Sequence, residues 1–528
     1  MPKNKDILWW RDGVIYQIYP RSFADSNNDG IGDLPGIISK MDYLADLGVD
    51  AIWLSPIYPS PDVDFGYDVA NYTDIDLKFG TMQDFEDLVR AAKKRGIHII
   101  LDLVLNHTSD QHPWFIESKK SHDNPYHDWY LWQDPLPNGD PPNNWQSIFG
   151  GTAWEFDAHL GQYYYHMFYK QQPDLNWRNP HVRKAMLDVF RFWLKKGVDG
   201  FRLDVFNAYF KDPDFKDNPS QFGIRPFDRQ KHIYDVSQPE MYPLLKDIRA
   251  ILDKHKETYA VGETFLASPQ QAASYCGEDK LHAAFNFDFA ENRWHPKRFL
   301  RSARQWYQAL SEGAWPNNFL SNHDMQRTAT RYCYGEDDRR AKVAAAMLLT
   351  IKGTPFLYYG EEIGLRDIPV RRKADVKDPV GKTFWPLYKG RDGCRAPMHW
   401  NDQPHAGFSD SEPWLPVHAN YEHRNVEAQS ADPDSMLNFV KTLIQIRKAE
   451  PALQRGDFVP MVEDPRHFLA FLRTFHDEQV LVVLNFSSRT LIYDTPDGPW
   501  NALFGEDAPE SDLISLTPYD IRIFKKVS

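Results

Sequence analysis

The amino-acid sequence predicts an α/β chain: a (β/α)8 TIM barrel with an inserted lobe after strand 3 and a C-terminal antiparallel β domain. Three observations predict it. Eight short apolar segments alternate with helix-like ones between residues 14 and 359, an order that fits a closed barrel better than an open sheet. The alternation breaks over 104–176, where Asn, Asp, Pro, Trp and Tyr replace periodic apolar residues. Beyond about 456 the texture changes to short alternating runs, the mark of antiparallel strands.

Each element follows in order. Residues 14–19 read as the first strand, 33–47 as a helix and 51–54 as the second strand. Residues 85–95, rich in Ala, Lys and Arg, read as a helix. The third strand, 98–103, is apolar enough to be buried on both faces. After the irregular stretch come a helix over 181–196 and strands at 200–203, 259–263, near 283–287, and 318–321. A helix over 339–351 leads into the eighth strand, 355–359. A second irregular stretch, about 365–430, is expected to wall the pocket, and a last helix spans 435–449. The runs 468–472 and 480–484 belong to the β domain. The expected domains are 1–103 and 177–455 for the barrel (domain A), 104–176 for the inserted domain B, and 456–528 for a C-terminal β-sandwich (domain C).

At 528 residues with 42% apolar content, the chain can bury a large core. A net charge of −13 argues against nucleic acid or an acidic membrane as partner, since both reward a basic surface. The three cysteines, Cys276, Cys333 and Cys394, are far apart and form no CxxC pair. Neither a disulfide framework nor a zinc site is expected, and a reducing, cytoplasmic setting fits. No apolar run approaches the ~20 residues of a membrane span. Residues 1–6 carry no apolar core of a signal peptide. Aromatic residues make up 14% of the chain and interleave with acids and histidines in the loops, as in sites that stack sugar rings.

The chemistry sits at strand ends. Asp204 ends the segment Gly200-Phe201-Arg202-Leu203-Asp204, two residues after Arg202. On a strand those two side chains share a face, and an arginine held against a carboxylate keeps it ionised and oriented. Glu263 ends Tyr259-Ala260-Val261-Gly262-Glu263, and Asp324 ends Phe319-Leu320-Ser321-Asn322-His323-Asp324. Three acids at three strand ends predict one acidic pocket on the catalytic face of the barrel, and glycosidic bond cleavage as its chemistry. A second site is legible in Asp25-Ser26-Asn27-Asn28-Asp29-Gly30-Ile31-Gly32-Asp33, where oxygen donors alternate around a glycine turn. That is the pattern of a calcium loop, without the glutamate of an EF-hand.

Four segments together resemble glycoside hydrolase family 13, in its α-glucosidase and oligo-1,6-glucosidase branch. They are Asp102-Leu103-Val104-Leu105-Asn106-His107, Gly200-Phe201-Arg202-Leu203-Asp204, Gly262-Glu263-Thr264-Phe265 and Asn322-His323-Asp324. The resemblance covers nearly the whole chain and implies a retaining mechanism on α-glucosides. It makes Asp204 the nucleophile, Glu263 the acid/base, and Asp324 the carboxylate that holds the distorted ring. It implies that His107 and His323 bond glucose hydroxyls and that Arg202 orients Asp204. Asp64 and Tyr67 would grip and stack the nonreducing-end glucose, and Arg395 would close the pocket floor with Asp64. Phe149, Phe168 and Gln172 would line the pocket from the inserted lobe. The family also places a structural Ca2+ or Mg2+ on Asp25, Asn27, Asp29, Asp33 and the carbonyl of Ile31, with no organic cofactor. Lys211 resembles the lysine that in this branch replaces the calcium of α-amylases near the lobe.

The expected substrate is a small oligosaccharide, cleaved one glucose at a time by a monomer or homodimer. Val205, next to the nucleophile, resembles branch members that prefer α-1,6 linkages, whereas Phe206 and Met325-Gln326-Arg327 depart from the commonest patterns. Trehalose-6-phosphate hydrolases, glucosyl-transferring and isomerising enzymes share the architecture, as do non-catalytic transporter heavy chains. Arg371-Arg372-Lys373-Ala374-Asp375 is basic without matching the isomerising relatives' loop.

Overall fold

The computed structural model describes residues 7–506 and 513–527; the expectation for residues 1–6 lies outside them. Eight parallel strands form one sheet: β1 (Ile15–Ile18), β2 (Ala51–Leu54), β3 (His98–Leu103), β4 (Gly200–Leu203), β5 (Tyr259–Gly262), β6 (Ala283–Ala284), β7 (Asn317–Phe319) and β8 (Thr354–Tyr358). The order β7-β8-β1-β2-β3-β4-β5-β6 is that of a nearly closed (β/α)8 barrel. Ile15, Trp53, Ile100, Val261, Phe285, Phe319 and Phe356 pack together inside it, so the barrel is a filled core whose polar groups collect at its upper rim.

Local signals set the helix ends. Met82–Lys94 starts with a reciprocal capping box between Thr81 and Asp84, and buries Phe85, Leu88 and Ala92 on one face. Pro180–Lys195 starts on Asn179, whose side chain accepts from His181 N. Two expectations change. The helix expected over 33–47 is two, Leu34–Ser39 and Met41–Leu47, meeting at Lys40. Ser39 Oγ bonds back to Gly36 O, a local bond that competes with the helix ladder. The sixth strand stops at Ala284, because the side chain of Asn286 accepts from Phe289 N and opens the helix Phe287–Ala290.

Between β3 and β4 lies a three-stranded antiparallel sheet of Trp132–Gln133, Trp154–Asp157 and Gln162–Tyr165. Its aromatic core of Trp145, Trp154, Tyr165 and Phe168 packs on Val205 and Ala208, just past β4. At the C-terminus, five antiparallel strands between Asp457 and Lys526 share a buried cluster with the pair Leu491–Asp494 and Leu513–Leu516. Among the described residues no helix is long and apolar enough to cross a membrane.

Candidate active site

β3, β4 and β5 assemble the centre. In register, Arg202 stands opposite Asp102 on one side and Val261 on the other. Past the strand ends, Asp204 N still donates to Leu103 O and Glu263 N to Leu203 O, which fixes both acids at the rim. The Arg202 guanidinium is buried among carboxylates: its Nη1 donates to Asp102 Oδ1 at 2.7 Å and to Asp204 Oδ1 at 2.6 Å, and its Nη2 to Glu263. Asp204 and Glu263 are thus held side by side on one guanidinium. Burial pushes Glu263 up to about 8; Arg202 opposes this, while Asp204 and Asp324 add to it. Burial raises Asp204 as well, against the pull of Arg202 and with the charge of Asp102 adding to the rise. One proton shared by this pair therefore rests on Glu263, leaving Asp204 ionised.

The chain then turns sharply. Val205 takes φ 33°, a left-handed conformation that costs a β-branched residue ~1–3 kcal/mol. That turn sets Val205 in the wall of a cavity of about 520 Å³. Asp64, Tyr67, His107, Phe149, Phe168, Asp204, Glu263 and Asp324 line the same cavity. The structure thus brings nine of the thirteen expected catalytic and substrate-binding residues to one surface. Gln172, Arg202, His323 and Arg395 stand behind it, buried. Gln172 Nε2 donates to Tyr67 O at 3.2 Å and Asp64 Oδ2 at 3.3 Å, and His107 Nε2 lies 2.9 Å from Tyr67 O. His323 is fully enclosed, with Gln17 on Nδ1 at 2.8 Å and Tyr67 Oη on Nε2 at 2.6 Å.

Arg395 corrects one expectation. Its Nη2 reaches Asp324 at 2.7 Å and its Nε the carbonyl of His323 at 2.8 Å, but Asp64 is held by Arg391 instead, at 2.7 Å. The turn Asp392–Arg395 brings both guanidiniums to Asp324, and only Arg391 projects on towards Asp64. Burial alone would raise Asp324, but His323, whose Nε2 lies 3.3 Å from Oδ2, and the guanidiniums of Arg391, Arg395 and Arg202 hold it well below the usual carboxylate range. It is the most open of the three acids, its side chain 38% exposed to the cavity.

Residues 17–456 match the family described as alpha-amylase: alpha amylase, catalytic domain. The chain belongs to the alpha-amylase family. It is 45% identical over 506 residues to a probable alpha-glucosidase of Rhizobium meliloti (strain 1021), covering 92% of this chain and 91% of the relative. It is 39% identical over 561 residues to the oligo-1,6-glucosidase of Parageobacillus thermoglucosidasius, covering 98% and 99%. In structure it resembles an alpha-glucosyl transfer enzyme, XgtA, with a TM-score of 0.94 and 39% identity over 99% of this chain and 100% of that one. These likenesses set it in the α-glucosidase branch of glycoside hydrolase family 13, and it is a glycoside hydrolase.

In this alpha-amylase family member Lys211 is buried where the lobe meets the barrel. Its Nζ pairs with Asp174 and donates to Asn106 Oδ1 and Ala208 O, so one ammonium satisfies three acceptors from separate segments. The 25–33 loop is curled on itself. Asp25 Oδ1 accepts from Asn27 N, Asn27 Oδ1 from Asp29 N, and Asp29 Oδ1 from Ile31 N, while buried Asp33 caps the helix after it. Among the described residues no three His, Cys, Asp or Glu side chains converge on one point as folded here. The donors at this loop are oxygens throughout, the chemistry that suits a hard cation.

Sequence reasoning missed Arg391, Asp378 and Gln17. Arg391 carried a signal, standing four residues before Arg395 in Arg391-Asp392-Gly393-Cys394-Arg395. Asp378, which accepts from Arg391 Nε at 2.9 Å, and Gln17 carried none that spacing alone could reveal.

Proposed function

We propose that the protein is a retaining, exo-acting α-glucosidase that removes nonreducing-end α-glucosyl residues from short oligosaccharides by double displacement. The observation that carries this is the single Arg202 guanidinium that holds both Asp204 and Glu263, the latter pushed up by burial. An inverting enzyme needs its carboxyls ~6.5–9.5 Å apart with a water between, and two carboxyls bonded to one guanidinium leave no such room. Asp204 attacks the anomeric carbon while Glu263 protonates the leaving oxygen. Glu263 then takes a proton from water, and the hydroxide so formed releases glucose with its configuration kept. Asp324, ionised throughout, accepts hydroxyls of the distorted ring.

Two features favour short substrates cut from one end. Asp64, Arg391 and His107, backed by buried Gln172, line the cavity with polar groups suited to a single sugar. At its mouth the guanidinium of Arg225 lies 5.7 Å over the Phe384 ring and reaches Ile148 O, so three segments meet above the opening. Both lining arginines have carboxylate partners, Asp228 for Arg225 and Asp64 for Arg391, which leaves the phosphorylated-sugar reading without a spare cation in the wall. Val205 in the wall supports a preference for α-1,6 linkages, a discrimination of ~1–3 kcal/mol for a change of methyl size. Glucosyl transfer to a second sugar would use the same covalent intermediate.

A divalent cation on Asp25, Asn27, Asp29, Asp33 and the Ile31 carbonyl would brace the loop after β1 and take no part in bond cleavage. Burial and nearby Asp25 both raise Asp33, a tension that a cation relieves. A cytoplasmic setting suits Cys276, Cys333 and Cys394, all free thiols. The test of function follows maltose, isomaltose, sucrose and trehalose 6-phosphate by proton NMR in the first minutes. α-Glucose is expected first, and most rapidly from isomaltose if Val205 sets the linkage. β-Glucose first would overturn double displacement.

A further inference from the structure

Gln17 stands on the inward face of β1, two residues after Ile15 of the barrel's inner cluster. A buried amide there needs partners. Its Nε2 donates to Ser55 Oγ at 3.3 Å and to His323 Nδ1 at 2.8 Å. A ring nitrogen that accepts carries no proton, so the proton of the neutral imidazole sits on Nε2. Burial keeps the ring neutral by pushing His323 down to about 3; Asp324 opposes this, and Arg395, Arg202 and Arg391 add to it.

From Nε2 the proton has Tyr67 Oη within reach, and Asp324 Oδ2 as a second, more distant acceptor at 3.3 Å. Tyr67 Oη lies 2.6 Å off, with its ring parallel to the imidazole within 3°. Having accepted there, Tyr67 gives its own proton to Asp102 Oδ2 at 3.1 Å. Asp102 Oδ1 in turn receives Arg202 Nη1, the nitrogen that also holds Asp204. Other groups face this chain from every side. Tyr19 stacks on His323 from the end of β1, and Trp53 of β2 donates to Asp102 Oδ2 at 3.3 Å. Glu263 faces Asp102 from β5, while Asp324, Arg391 and Arg395 flank His323.

We propose that Gln17 is a positioning residue for the nucleophile. By donating to His323 Nδ1 it fixes the imidazole as the Nε2–H tautomer, and so directs the relay through Tyr67 and Asp102 that holds Arg202 against Asp204. The proposal deepens the α-glucosidase reading and rests on it for the role of Asp204. Without Gln17 only Asp324, 3.3 Å from Nε2, still favours a proton there, and the ring can also carry it on Nδ1. Tyr67 then donates to Nε2, and Asp102 loses the hydrogen bond that helps keep it ionised.

Two measurements on the intact protein test this. The first is the 15N spectrum of histidine-labelled protein, with His323→Asn used for assignment. A bare Nδ1 and a protonated Nε2 are expected in the wild type, and both tautomers in Gln17→Met. The second is the pH profile of kcat/KM. Gln17→Met is expected to lose about tenfold and to shift the acid limb to higher pH, since Asp102 becomes easier to protonate. Combined with Tyr67→Phe it should cost little more than the worse single change, because both break one chain. A protonated Nδ1 in the wild type overturns the proposal. So does a Gln17→Met protein that melts lower but keeps the wild-type acid limb. If Gln17→Met fails to fold, Gln17→Asn keeps a donor one carbon short, and a smaller limb shift in the same direction is expected; an unmoved limb overturns the proposal. Should no glucoside be cleaved at all, the α-glucosidase reading fails by itself, while the spectrum still decides the tautomer.

Discussion

Glu263 sets the pH behaviour at the scale of single residues. A general acid works protonated, and this one is pushed up to about 8, so kcat/KM should hold below that value and fall as pH rises through it. Asp204 works ionised beside an ionised Asp102, and burial raises both, so the acid limb, a property of the two together, should lie above the ordinary carboxylate range. Glu263→Gln is expected to abolish the basic limb and to slow aryl glucosides less than disaccharides, because a good leaving group needs little protonation. Equal losses on both would exclude an acid/base role. Asp204→Asn should lower turnover by roughly 10⁴-fold, the scale seen when a nucleophile is removed. Near-normal turnover in that protein would exclude Asp204 as nucleophile.

At the scale of elements, the segment after β8 decides how the sugar is gripped. Buried Asp378 caps the helix Pro379–Phe384 through Val380 N and also holds Arg391 through Nε, Nη2 and backbone N. Asp378→Asn keeps the cap and removes the charge. The expected result is a KM about tenfold higher with kcat changed far less, since Arg391 orients Asp64 without touching the reacting atoms. A lowered melting temperature with unchanged KM would confine Asp378 to the fold. This segment also shows where sequence reading ends. Asp204, Glu263 and Asp324 were legible because each closes a short apolar segment, and register then brings such ends together. Arg395 was legible from its motif, but that Arg391 is the one to meet Asp64 depends on Asp378, thirteen residues away and joined to Arg391 only by the fold. Gln17 looks like a polar interruption in an apolar strand until β1 is set beside His323. Strand and helix cores followed from periodicity, whereas the break at Lys40 and the early end of β6 hung on single side-chain bonds by Ser39 and Asn286.

Across the whole molecule, buried Arg473 ties the C-terminal sheet to the barrel, and buried Arg447 braces the same helix end from within the barrel domain. The helix Arg339–Thr350 leads into β8 and ends with carbonyls that need donors. Arg473, from the strand Phe468–Phe475, gives Nη1 to Thr350 O and Nη2 to Gly456 O. Arg447, from the helix Met436–Ala449, reaches Leu349 O, Leu453 O and Gly353 O. Burial opposes both charges, and Arg447 further opposes Arg473, but the negative end of the helix favours a cation there. Arg473→Met keeps the bulk of the side chain and strands two buried carbonyls. A loss of about 3 kcal/mol in stability is expected, read by urea unfolding, with kcat/KM of the folded protein unchanged. Adding Arg447→Met should cost less than the sum of the two, because each change relieves the repulsion felt by the other cation. A changed KM at wild-type stability would instead mean that the helix end transmits strain along β8 to the rim, and that the C-terminal sheet tunes the cavity as well as bracing the barrel.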